Sequence, residues 1–218
     1  MEKIDIVIIG AGIAGIASAY YLRKNFPNIR LKILESRSSV GGTWDQMRFP
    51  GVRADNDMYT YGYSFDPWKG SIIGNGKEIK NYLNKVADKF NIKKNTLFDT
   101  VVKSLSWKDN KWIIKTDHKK FTSQYIICCT GSRDRINPHL PKFKNEKIYQ
   151  GKIVHTQAWG NTNFKDKNVT IVGSGCTAIT MAPSIIKEAK KEFENKKGKN
   201  YIYNSLIGDK KPALNYRN

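Results

Sequence analysis

Residues 3–10, KIDIVIIG, form a short β-rich apolar run, the pattern of a buried parallel strand. The next stretch, GAGIAGIASAYYLRKNF, changes to helical spacing and stops at Pro27. LKILE (31–35) reads as a second strand. From Ser36 to Trp68 the chain is rich in glycine and aromatic residues and has no period, which predicts loop and short turns. Gly76 to Phe90 reads as an amphipathic helix with Ile79, Tyr82, Leu83, Val86 and Phe90 on one face. Thr100–Ser106 and Lys111–Thr116 alternate like paired antiparallel strands, with KDN as their turn. SQYIICCTG (123–131) predicts another buried strand, and INPHLPKF (136–143) a proline-bearing connection. Val169–Val172 predicts a strand and Ala178 to about Phe193 a helix. From Glu194 onward the periodicity is weak and the residues are mostly polar. Apart from two glycine turns there is no internal repeat.

The order strand, glycine turn, helix, strand defines an α/β fold class, a Rossmann-like domain with a parallel sheet, helices and a small antiparallel β element. The length of 218 residues and the hydrophobic fraction of 39% suffice for one large domain, or one domain and part of another. No apolar run approaches the ~20 residues needed to cross a bilayer. The N-terminal apolar run has no cleavage site, so no signal peptide is read and a cytoplasmic location is the expectation. Three cysteines, two of them adjacent at Cys128 and Cys129, make no disulfide framework, and no metal-ligand set is expected. The net charge of +19 raises the question of nucleic acid. The excess is spread along the chain and is mostly Lys, accompanied by much Asn and Ile, and no nucleic-acid-reading motif is present; no nucleic-acid partner is expected.

The first glycine turn carries the chemistry. Gly10, Gly12 and Gly15 follow a strand and open a helix. Gly10 permits the tight turn, Gly12 the approach of a pyrophosphate, and Gly15 close packing of helix on strand. The helix N-terminus then offers unpaired N–H groups to the phosphates. Glu35, at the end of the next strand, can accept hydrogen bonds from a ribose and would repel a phosphate placed there, so this site should hold FAD or NAD and not NADP. A second turn, Gly173, Gly175 and Ala178, has the same strand and helix around it. Cys176 inside it reads as a small filler and not as a nucleophile. The disulfide reductases also use two such turns, with a redox cysteine pair after the first glycine-rich unit; here no cysteine precedes Cys128.

The stretch SSVGGTWDQMRFPGVRADNDMYTYGYSFDPW (38–68) follows the first unit. Trp44, Tyr59, Tyr61 and Tyr63 could wall a flavin ring, although core packing is the commoner fate of such side chains. As a string it closely resembles class B flavoprotein monooxygenases, the flavin-containing and Baeyer–Villiger monooxygenases, most of all the ethionamide-activating type. YQGKIVHTQAWG (149–160) resembles the Baeyer–Villiger fingerprint through Gly151, His155 and Trp159, with Tyr149 in place of Phe and Gly160 in place of Pro or Asp. A hinge or domain-coupling role fits His155 better than proton transfer, whereas His118 and His139 match nothing.

The resemblance covers about residues 3 to 185. It implies FAD contacts at Gly10, Gly12, Ala14, Gly15, Glu35, Thr43, Trp44, Asp45, Gln46, Asp55 and Val102, the last through its backbone. It implies NADPH contacts at Arg53, Ala54 and Asp55, and at Ser174, Gly175, Cys176, Thr177, Ala178, Ile179 and Thr180. Asp55 and Arg53 are the implied catalytic residues, Asp55 orienting a cationic partner. The implied activity is that of an FAD- and NADPH-dependent monooxygenase inserting one oxygen atom from O2 into a ketone or sulfide through a C4a-peroxyflavin.

The domains expected are an FAD-binding domain over 1–150, lacking its C-terminal return, the start of an NADP-binding domain over 151–193, and a divergent polar tail over 194–218. In the family the catalytic arginine and the basic residues gripping the 2′-phosphate lie beyond the second helix. Here that region reads KKGKNYIYNSLIGDKKPALNYRN, with Arg217 the only arginine after Arg135. A truncated gene, a shifted frame or one half of a split protein would each explain it. The alternative reading is a non-catalytic FAD-binding fragment or pseudoenzyme needing a complementing C-terminal chain to cover its apolar faces.

Overall fold

A computed structural model describes residues 2–131, 138, 141–143, 146–165, 167 and 169–193. The chain divides into two compact units, one of Met1–Gln46 with Asp57–Asp134, the other of Met47–Asn56 with Arg135–Asn218.

The first unit is built on β1 (Glu2–Ile9), α1 (Ile13–Asn25) and β2 (Leu31–Leu34). Two short helical turns follow, α2 (Thr43–Gln46) and α3 (Met58–Tyr61), and then α4 (Gly76–Lys89). β3 (Thr96–Leu97), β4 (Val102–Lys108), β5 (Lys111–Thr116) and β6 (Lys120–Cys128) complete one six-stranded sheet in the order β3-β2-β1-β6-β5-β4. β1 pairs parallel with both β2 and β6, while β4–β5 and β5–β6 are antiparallel. The sheet is therefore a parallel dinucleotide-type core with an antiparallel hairpin on one edge, as the alternating pattern predicted.

Burial explains why the apolar runs became strands. Val7, Ile8 and Ile33 are fully buried, because β1 and β2 are covered on both faces. Ile4, Val7, Ile9, Leu34, Ile114 and Phe121 form one core cluster beneath the sheet. α4 buries Ile79, Leu83 and Val86, the face its spacing predicted, and a reciprocal Asn75–Glu78 capping box fixes its start. In the β4–β5 turn both Asp109 and Asn110 have positive φ, 51° and 53°, the mirror-image turn that suits strand twist.

Two expectations are corrected. The run 123–131 is not a fully buried strand: Ser123 is buried, but Tyr125 is 63% exposed and Cys128 is exposed. Ile126 still packs against the core cluster, but the residues on the other face of β6, Tyr125 among them, are left exposed.

In the second unit Val172 makes only a single β-bridge, and Val169–Val172 forms no strand ladder among the described residues. Ile171 is buried, whereas Val172 is 57% exposed. A strand needs a continuous ladder of hydrogen-bonded neighbours, and one bridge does not supply it. α5 runs from Cys176 to Phe193, beginning two residues ahead of the predicted Ala178. Phe49, Ile171, Met181 and Ile185 make the core of this unit, with Met47, Val52, Trp159 and Phe164 packed against it. Among the described residues no helix is long and apolar enough to cross a membrane. The polar tail, His139, Arg135 and Arg217 lie outside the described residues.

Candidate functional site

The first glycine turn sits where β1 ends and α1 begins. Gly10 has φ +102°, and a Cβ there would collide with the Cys129 carbonyl oxygen. A Cβ at Gly15 would strike the Gly10 carbonyl oxygen, so helix and strand touch backbone to backbone. Gly12 differs from both. Its φ is an ordinary −77°, and a Cβ there would meet only the Gly42 Cα at 3.5 Å. The fold tolerates a side chain at Gly12, so the absence of one leaves room for a ligand. Ala14, on the first turn of α1, is exposed.

Glu35 reaches back to this turn. Its Oε2 accepts the Ala11 N–H at 2.6 Å, and its Oε1 accepts the Arg37 N–H at 2.9 Å and the Ser36 hydroxyl at 3.3 Å. The residue is only 2% exposed. A carboxylate has about four acceptor positions, so these three bonds leave one for a sugar hydroxyl. The chain around Thr100 is anchored here too, its N–H donating to the Glu35 carbonyl at 2.9 Å. That brings the start of β4, with Val102, to the same end of the sheet.

The Gly41–Gly42 segment closes the turn from the other side. The Gly41 N–H donates to the Ala11 carbonyl at 3.0 Å. α2 follows at once, with Thr43 exposed, Trp44 half-buried and Asp45 and Gln46 buried. The Trp44 indole N–H donates to the Tyr61 hydroxyl at 3.4 Å. Asp45 does not turn its carboxylate outward. Arg37 Nε and Lys80 Nζ each stand 2.5 Å from one of its oxygens. Burial alone would raise this carboxyl, but the hydrogen bonds from Lys80, Arg37 and Ser39 outweigh it and hold the group below its ordinary value.

The three tyrosines part company. Tyr63 is buried, stacks on Phe65 and donates its hydroxyl hydrogen to the Ile13 carbonyl at 2.8 Å. Burial pushes its phenol well above the usual value, as befits a structural residue. Tyr59 is 59% exposed. Tyr61 alone stays with Trp44. Arg37, Lys80 and Ser39 were missed by sequence reasoning. The usable signal was Asp45 itself, since a carboxylate in a buried turn requires cations.

Arg53, Ala54 and Asp55 belong to the second unit, as do Ser174 to Thr180. Arg53 and Asp55 are exposed and Ala54 is buried. The two stretches are brought together by Gly51, whose backbone lies so close to α5 that a Cβ would come within 2.6 Å of the Thr180 carbonyl oxygen and the Ser184 hydroxyl. The second glycine turn is looser than the first. Gly173 has φ +132°, yet among the described residues nothing lies within 4 Å of a Cβ at Gly173 or Gly175. Ser174, Gly175 and Cys176 are exposed, Thr177, Ala178 and Thr180 are half-buried, and Ile179 is 64% exposed. Cys176 therefore fills no space, contrary to expectation, because it lies on the exposed side of α5, while Ala178 packs on the core of this unit. The Cys129 thiol is pushed up by burial, partly offset by its hydrogen bond with Ser18, and so is not an activated nucleophile.

In the fingerprint segment His155 caps a short turn: its Nδ1 accepts the Gln157 N–H at 3.2 Å. Trp159 packs on the core of the second unit. Gly151 makes room for the Tyr149 ring. Among the described residues no group of His, Cys, Asp and Glu is arranged to hold a metal ion.

A family model described as pyridine nucleotide-disulphide oxidoreductase matches residues 4–194. A probable FAD-binding monooxygenase AlmA of an Acinetobacter species is 40% identical over 86% of this chain and 40% of its own length. The FAD-containing monooxygenase EthA of Mycobacterium tuberculosis is 35% identical over 87% of this chain and 40% of its own. Among solved structures, an oxidized steroid monooxygenase bound to NADP superposes with a TM-score of 0.78 at 28% identity, over 93% of this chain and 38% of its own. An open cyclohexanone monooxygenase gives 0.78 at 27%, over 87% and 39%. The chain thus spans about 40% of the length of the curated relatives it matches. With its Rossmann-like fold and its two glycine turns, the chain belongs to the pyridine nucleotide-disulphide oxidoreductase family, and it is similar to the N-terminal portion of proteins named as FAD-containing monooxygenases.

Proposed function

We propose that this chain carries the FAD site, and part of the NADPH site, of a monooxygenase that transfers one atom of dioxygen to a ketone or sulfide. The observation that carries the reading is the glycine cradle. Gly10 and Gly15 are demanded by the fold itself, whereas nothing among the described residues demands Gly12, which leaves its side open. A pyrophosphate against the α1 N-terminus accounts for that choice, and Glu35 has acceptor capacity left for the adjoining ribose. The residues present fit FAD.

When bound, the flavin supplies the two-electron relay between NADPH and dioxygen. In balance, NADPH, a proton, O2 and substrate give NADP+, water and the oxygenated product. The chain's share is binding and orientation. Amide groups at Gly12 to Ala14 would hold the pyrophosphate, Glu35 the ribose, the Val102 backbone the adenine, and the Thr43–Gln46 turn the flavin side. Arg53, Ala54 and Asp55, with Ser174 to Thr180, would receive NADPH, and Arg53 and Asp55 are the proposed catalytic residues.

One assay tests this reading: NADPH oxidation by the FAD-loaded chain in air, with and without a ketone or sulfide. The reading expects consumption stimulated by substrate and matched by oxygenated product. Flavin uptake with no such stimulation would contradict catalysis by this chain. It would favour a second reading, an FAD-binding piece that works with a complementing chain. The exposed Val172, Ile179 and Ile186 support that reading.

A further inference from the structure

The chemistry around Asp45 points beyond a direct cofactor contact. Its carboxylate is 4% exposed and lies between two cations from distant parts of the chain, Arg37 just after β2 and Lys80 on α4. Arg37 also donates from Nη2 to the Asp45 carbonyl at 3.4 Å, and its own backbone N–H is held by Glu35. Gly41 lies directly beneath this cluster. A Cβ on Gly41 would come within 3.3 Å of the Asp45 Cβ and 3.8 Å of the Lys80 Cγ. The Gly41 N–H in turn holds the Ala11 carbonyl, and Gly42 faces Gly12. An unbroken line of contacts thus runs from Lys80 and Arg37 through Asp45 and Gly41 to the glycine turn.

We propose that Lys80 and Arg37 are positioning residues for the flavin site: by gripping the Asp45 carboxylate they set the distance between the Gly41–Gly42 backbone and the glycine turn at Ala11–Gly12. This rests on the FAD reading above. A carboxylate buried in a turn is held in one place only while both oxygens are partnered. With Lys80 neutralised, one oxygen loses its cation, the α2 turn gains freedom, and the backbone wall opposite Gly12 loses its fixed position. Neither cation needs to touch the cofactor for its loss to weaken binding.

The test is a flavin fluorescence titration of the full chain as wild type, Lys80→Met and Lys80→Arg, with the absorption band of the bound flavin recorded and the melting of each apoprotein measured. The expected result is binding weaker by about tenfold or more in Lys80→Met, a shifted flavin band, and recovery of both in Lys80→Arg. A purely structural lysine would lower the melting temperature and leave affinity and band unchanged; that result overturns the proposal. Should Lys80→Met not fold, Lys80→Gln replaces it and is read the same way. Should neither fold, Arg37→Lys decides, because it keeps the charge and loses the planar fork: weaker binding supports the proposal and wild-type binding overturns it. Wild-type protein that takes up no FAD removes the functional reading itself, whereas wild-type uptake with an indifferent Lys80→Met removes this inference alone.

Discussion

At the residue scale, the same amino acid does different work at neighbouring positions. Gly10 is fixed by a φ that L side chains rarely adopt, Gly15 by contact with backbone, and Gly12 by neither. The sequence motif marks all three alike, and coordinates are needed to separate the glycine the fold requires from the one a ligand requires. Glu35 was legible as an acid at a strand end, but its bonds to Ala11, Ser36 and Arg37 were not, since they depend on the path of the turn. Asp45 was legible as part of a string and illegible as an ion pair, because Lys80 is far away in sequence. Its depressed carboxyl makes a pH prediction. Unfolded, the group titrates near 3.8. Folded, it titrates lower, so its stabilisation is complete above the unfolded value and is lost as pH falls through the folded one. At neutral pH Asp45→Asn should cost about 1–3 kcal/mol, and the gap to wild type should narrow below pH ~4. Thermal melts of both proteins across that range check it, and a gap independent of pH would deny the ion pairs their role.

At the scale of elements, the long apolar and periodic runs were read well, because burial on a sheet or a helix face leaves its period in the sequence. β1, β2, α1, α4 and the β4–β5 hairpin follow from that. The misreadings lie where an element depends on neighbours. Val169–Val172 has strand composition without a ladder, and β6 has core composition but is only partly covered, with Ile126 packed and Tyr125 exposed. The α4 helix carries Lys80 into place, and its start depends on the Asn75 cap, whose side chain accepts the Glu78 N–H at 2.9 Å while Glu78 accepts the Asn75 N–H at 3.0 Å. Replacing Asn75 by Ala should destabilise the protein by about 1 kcal/mol, measured by denaturant midpoint, without altering the slope of the transition. A loss near zero would mean that tertiary packing of Ile79, Leu83 and Val86 alone sets where α4 begins.

At the scale of the whole molecule, the account rests on one division of labour. The first unit is closely packed around its glycine turn, with backbone against backbone at Gly10 and Gly15. The second keeps its glycine turn open and exposes Val172, Ile179 and Ile186. FAD binding by the first unit is the claim on which oxygen transfer, the NADPH contacts and the Lys80 inference all depend. The most direct measurement is an equilibrium FAD titration of the full chain beside Gly12→Ala. The methyl group has ordinary room in the protein, 3.5 Å from the Gly42 Cα, so the variant should fold with a stability loss of about 1 kcal/mol or less. Against a pyrophosphate the same methyl group collides. The account predicts saturable uptake of FAD by the wild type and at least a tenfold loss in Gly12→Ala; a wild type that takes up no FAD, or a folded Gly12→Ala that binds it equally well, would contradict it.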